Sequence, residues 1–171
     1  MRRVKKLILG LIVGFLLTNS VTAQKTKYQS IFIYNFSKYI KWPDDFNEGR
    51  FVIGILGNSE IQSDLESMVA TKKQTTGLVM EFKKFSSLSD LSECNLLFIS
   101  SKFCNRIQEI QHAILGVPTL IVTDKSGMAK KGATINFIEK DGKIKFELNQ
   151  STAESLGLKV SSSLVSLAIL I

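Results

Sequence analysis

The chain has 171 residues, 22 of them basic and 15 acidic, with a formal charge of +7 and a 44% hydrophobic composition. Four basic residues (Arg2, Arg3, Lys5 and Lys6) lie in a leader-like segment, so the remainder carries 18 bases against 15 acids, or +3. The lysine pairs Lys72-Lys73, Lys83-Lys84 and Lys130-Lys131 are scattered, which gives no concentrated basic face and no support for nucleic-acid binding.

Met1 to Ala23 reads as a targeting segment. A basic start precedes the apolar run Leu7 to Leu17, which is short for a membrane span, and Val21-Thr22-Ala23 fits a small-residue cleavage site. No cysteine follows the apolar run to accept a lipid. Cleavage would export a mature chain of 148 residues (24–171); an uncleaved membrane anchor is the alternative. That length suits one domain, with roughly 70% of its unfolded surface buried.

Six of the fifteen Phe, Tyr and Trp residues crowd into Tyr28 to Pro43, Y-Q-S-I-F-I-Y-N-F-S-K-Y-I-K-W-P. Tyr28, Phe32, Phe36 and Tyr39 share helical spacing, widened by Ile40, and predict an amphipathic helix with this stripe in the core. Pro43 disfavours the helical conformation at Trp42, so the helix is expected to end there. Tyr34 falls off the stripe. The exposed residues of this helix and its exit turn, Tyr34, Lys38, Trp42 and Pro43, are the candidate partner-binding surface; core packing is the plainer reading of the aromatics.

Phe51 to Gly57 is a continuous apolar run of strand length, the pattern of a strand buried on both faces. Gly57-Asn58 turns the chain, and Ser59 with Gln62 suggests a capping box opening a helix. Gly54 and Gly57 lack the third glycine of a dinucleotide fingerprint, so no cofactor is expected. Leu78 to Phe85 is a strand with one wet face, and Ser86 to Glu93 is a linker or short helical turn. Cys94 to Ser100 is a second buried strand. Lys102 to Leu115 follows in a helical pattern closed by Gly116. Pro118 to Asp124 is a further strand, and the loop after it holds one helical turn.

Ala133 to Glu139 and Lys143 to Asn149 alternate around Asp141-Gly142, a strong hairpin signal. Gln150 to Leu156 forms a short helix ended by Gly157. Ser161 to Ile171 reads as a final helix, with an edge strand as the alternative for its apolar tail. Helices alternating with buried strands predict an α/β fold: a single layered domain with a mixed sheet flanked by helices, Rossmann-like without a nucleotide fingerprint.

Cys94 and Cys104 bracket a strand whose six residues span about 20 Å, against about 7 Å for the Cα atoms of a disulfide. They are read as buried thiols, as an internal bridge if the chain doubles back, or as a redox or intermolecular pair. The chain lacks a catalytic constellation. His112 has no acidic partner or serine elbow at a recognisable offset, and Asp124, at a strand end, lacks the acidic pair of a phospho-receiver. No enzymatic activity is expected. Gly57, Ser100 and Asp124, at strand ends, are the candidate pocket for an apolar or aromatic small ligand.

Tyr34 to Pro43, F-V-I-G-I-L-G, C-N-L-L-F-I-S and P-T-L-I-V-T-D-K-S-G-M-A-K-K-G-A-T-I-N-F resemble, in order, segments of the YfiR/HmsC-like periplasmic proteins. The resemblance continues through G-K-I-K-F-E-L-N and A-E-S-L-G-L-K-V-S-S-S-L. It implies a non-enzymatic regulator with an α/β fold that holds a membrane-anchored signalling protein inactive, typically a diguanylate cyclase or else a kinase, until an envelope or redox signal releases it. Dimerisation is common in the family. Members regulated through disulfides carry more than two cysteines, a point of departure here.

Overall fold

The computed structural model describes residues 23–46, 49–75 and 79–171. The proposed leader therefore lies outside the described residues but for Ala23. Helix α1 (23–39) leads into strand β1 (Ile40–Lys41), followed by β2 (Arg50–Leu56), α2 (Gln62–Thr75), β3 (Val79–Phe85) and β4 (Leu96–Ile99). Then come α3 (Ile107–Ala113), β5 (Leu120–Thr123), the hairpin β6 (Ile135–Lys140) and β7 (Lys143–Leu148), α4 (Gln150–Ser155), β8 (Lys159–Val160), α5 (Ser162–Val165) and β9 (Ile169–Leu170).

Seven strands form one sheet in the order β3-β2-β4-β5-β6-β7-β9, and β1 pairs with β8 as a separate antiparallel ribbon. Neighbours from β3 to β6 are parallel, β6 and β7 are antiparallel, and β9 returns parallel to β7. This is the mixed α/β sheet that the alternation of elements predicts. Its central strands read as unbroken apolar runs because each feeds two cores. From β2, Phe51, Ile53 and Ile55 enter one apolar cluster while Val52 and Leu56 enter the other; β4 divides Leu96 and Phe98 from Leu97 and Ile99 in the same way. In the hairpin, Asp141 at φ 54° and Gly142 at φ 67° both occupy the left-handed region, the geometry for which an Asp-Gly pair is suited.

Three local expectations need correction. Helix α1 stops at 39, three residues before Trp42, because Ile40 and Lys41 pair with Val160 and Lys159. Its buried face is also rotated: Thr26, Gln29, Ser30, Ile33, Phe36 and Ile40 are buried, while Tyr28 and Tyr39 are about half exposed. Hydroxyls make this tolerable. Thr26 Oγ1 donates to Ala23 O, and Ser30 Oγ to Lys27 O at 2.8 Å, so neither requires water.

The helix expected over Lys102 to Leu115 divides into a 3-10 turn, Cys104–Arg106, and α3. The C-terminal stretch is both expected elements in turn. Ser161 caps α5 through Leu164 N, and the chain then joins the sheet, with Ile171 N donating to Leu148 O at 3.0 Å.

Candidate functional site

Two edges of the sheet gather the candidate residues. At the carboxyl edge, Leu56 pairs with Ile99 and Phe98 with Val122. Extending those registers sets Gly57, Ser100 and Asp124 side by side across three neighbouring strands. Because β3 lies on one side of β2 and β4 on the other, this row spans the position where connections change direction, the usual crevice of open α/β sheets.

The crevice is closely packed. Gly57 has φ +83°, and an added Cβ there would collide with Ser100 Oγ and lie 2.8 Å from the Phe103 ring. Phe103 thus covers the gap between β2 and β4. Asp124 is engaged from above, its Oδ2 3.4 Å from Lys25 Nζ on α1. Ser100 Oγ and both amide atoms of Gln29, one turn along α1 from Lys25, are buried with no protein partner, in residues 2% and 1% exposed.

At the amino edge, Trp42 Nε1 donates to Pro118 O at 2.8 Å, and the indole meets Phe51 edge-on at 5.1 Å. This half-buried tryptophan fastens the exit of α1 to the start of β5. Beside it opens a cleft of about 670 Å³ whose apolar lining includes Pro43, Phe46, Ile114, Leu115, Pro118 and Leu156. Leu115 is 79% exposed. Tyr34 and Lys38 meet each other elsewhere: the half-buried Tyr34 ring lies 4.5 Å from Lys38 Nζ and 4.4 Å from Lys72 Nζ of α2. Sequence reasoning found Pro43 but missed Phe46, Leu115 and Leu156. The available signal was Leu115 directly before the helix-ending Gly116, an apolar residue with no helix turn to shelter it.

Cys94 and Cys104 are both buried and unbridged. Burial pushes the Cys94 thiol up to about 12, offset in part by the positive charge of Lys83. Burial, then the carboxylate of Asp124, raises Cys104 to about 11. His112 is exposed on α3. Among the described residues no three of His, Cys, Asp and Glu come together as a metal-ligand set, and no helix is long and apolar enough to cross a membrane.

The fold has solved counterparts. The ABC domain from Streptococcus pneumonia, solved in complex with L-Trp, superposes with a TM-score of 0.53 at 12% identity, covering 74% of this chain and 58% of that one. A conserved domain protein from Vibrio cholerae gives 0.56 at 11% identity, covering 85% and 59%. The chain thus spans less than two thirds of either, and at such identities the likeness concerns the α/β fold alone. No curated protein matches the chain. Residues 26–169 match the YfiR/HmsC-like family, which takes in both edges of the sheet described above. The chain belongs to that family.

Proposed function

We propose that this protein is an exported periplasmic regulator that binds and restrains a membrane-anchored signalling protein, a diguanylate cyclase or sensor kinase, by contact and without catalysis. The observation that carries the reading is the family match over residues 26–169, since the family acts with membrane signalling proteins. The leader-like Met1 to Ala23 supports export. The cleft beside Pro43 supports contact, because an apolar hollow rimmed by an exposed leucine suits an anchoring side chain from a partner.

Crosslinking in intact envelopes, with mass spectrometry of captured membrane proteins, tests this. Wild-type protein should capture a cyclase or kinase. Leu115→Asp, which leaves the core untouched, should lose it while Lys38→Glu retains it. Loss only with Lys38→Glu would move the contact to the flank of α1. Capture of neither a cyclase nor a kinase, in reducing or oxidising medium, would end the reading.

A second reading, a small-molecule sensor, is favoured by one observation: the unpartnered buried groups of Gln29 and Ser100 beside Asp124. Native mass spectrometry of the purified protein tests it. A retained small molecule that Ser100→Val eliminates would support it.

A further inference from the structure

Neither reading uses a second cleft at the carboxyl edge. It encloses about 530 Å³ and is lined by Cys104, Asn105, Ile107, Gln108, Lys130 and Lys131. Lys125 stands at its margin, with Nζ 2.9 Å from Asn105 Oδ1. No carboxylate lines it. The acids on the adjoining segments are already engaged, Asp124 by Lys25 and Glu109 by Arg106 at 2.7 Å.

Like charges on a free surface loop swing apart into water. Here the backbone carrying Lys130 and Lys131 is held in place. Met128 and Ala129 are buried; Asn149 Nδ2 donates to Ala129 O at 2.9 Å and Gln111 Nε2 to Gly132 O at 3.1 Å. Gly132, at φ +110°, closes the 3-10 turn Ala129–Lys131. An anchored turn that places Lys130 and Lys131 in the lining of one cleft, with Lys125 at its margin, gathers positive charge there before any anion arrives. Asn105 lines the same cleft and, with its carbonyl oxygen occupied by Lys125, retains its amide NH₂ as a donor.

We propose that this cleft binds a small, multiply charged soluble anion of the phosphate class, with Lys130 and Lys131 supplying the charge and Asn105 a directional hydrogen bond. The volume exceeds that of one phosphate, so pyrophosphate or a phosphorylated small molecule fits better. The site is independent of the amino-edge cleft and does not rest on the regulator reading.

The test is thermal unfolding of the full chain with pyrophosphate as probe, against chloride at matched ionic strength. Pyrophosphate at about a hundredfold over its Kd should raise the Tm by about 5 °C or more. Lys130→Glu with Lys131→Glu should abolish the shift. Lys27→Glu with Lys84→Glu removes the same charge from exposed positions elsewhere and should preserve it. Asn105→Asp, which puts a carboxylate into the cleft without touching the turn, should weaken binding about tenfold or more in calorimetric titration. No shift in wild type, or equal loss in the control pair, would overturn the site. Binding of a hexaglutamate peptide but not of pyrophosphate would also overturn it, and would assign the lysines to an acidic partner segment.

Discussion

Reactive cysteines need a thiolate, and both thiols here are held neutral at physiological pH by burial. Reagents should therefore label Cys94 and Cys104 only after unfolding. The same burial makes stability depend on pH in alkali. An unfolded thiol ionises near its ordinary value of 9.0, while folded Cys94 retains its proton to about 12. The contribution is fully present below 9.0 and is lost as pH rises through that window, because the unfolded chain then binds fewer protons. The slope is about 1.4 kcal/mol per pH unit per thiol. Between about pH 8.5 and 10.5, the urea midpoint of Cys94→Ala should fall less steeply than that of wild type; parallel slopes would show that the buried thiol does not couple to folding. The number of cysteines was legible in the sequence, and so was the argument against their pairing. Which groups surround them was not, since Lys83, Asp124 and Lys125 reach the thiols only through the fold.

For elements, the hydrophobic pattern placed the buried strands and the hairpin, since two-sided burial and an Asp-Gly turn both leave direct marks on sequence. The face of α1 did not follow the aromatic stripe. Phe36 is fully buried, with ring centroids 5.3 Å from Phe146 and 5.9 Å from Phe137, while Tyr28, on the same predicted stripe, is half exposed. Phe36→Ala should cost about 3–5 kcal/mol in chemical denaturation. Tyr28→Ala should remain within about 0.5 kcal/mol of wild type. Comparable losses from both would restore the face predicted from spacing. Only long-range neighbours could fix the rotation: the buried serine and threonine satisfy their hydroxyls on the helix itself, while Gln29 on the same face is buried with its amide unpartnered, against what its polarity suggests.

Across the whole molecule, α1 is tied to both edges of the sheet, at Lys25–Asp124 beyond one end of β5 and at Trp42–Pro118 before the other. It therefore runs antiparallel to β5. The Lys25 pair is long at 3.4 Å and partly exposed, and contributes little; the indole bond is the firmer tie. Trp42→Phe retains an aromatic against Phe51 but leaves Pro118 O without its donor. It should destabilise by about 1–2 kcal/mol, read from the urea midpoint. An unchanged midpoint would show that packing alone holds the helix exit.

The sequence by itself determined the α/β class, six of the seven strands of the sheet, the hairpin and the family, because each depends on local periodicity, turn chemistry or ordered segments of residues; for β9 it left helix and strand open. It also picked out Gly57, Ser100 and Asp124 from strand ends alone. Tertiary structure decided the strand order, and with it that these three residues form one row, with Phe103 over Gly57. It alone brought Pro43, Leu115 and Leu156 to one cleft and Asn105, Lys130 and Lys131 to another. The reason is distance along the chain: these groups belong to separate segments, and no short-range pattern encodes which segments the sheet will set side by side.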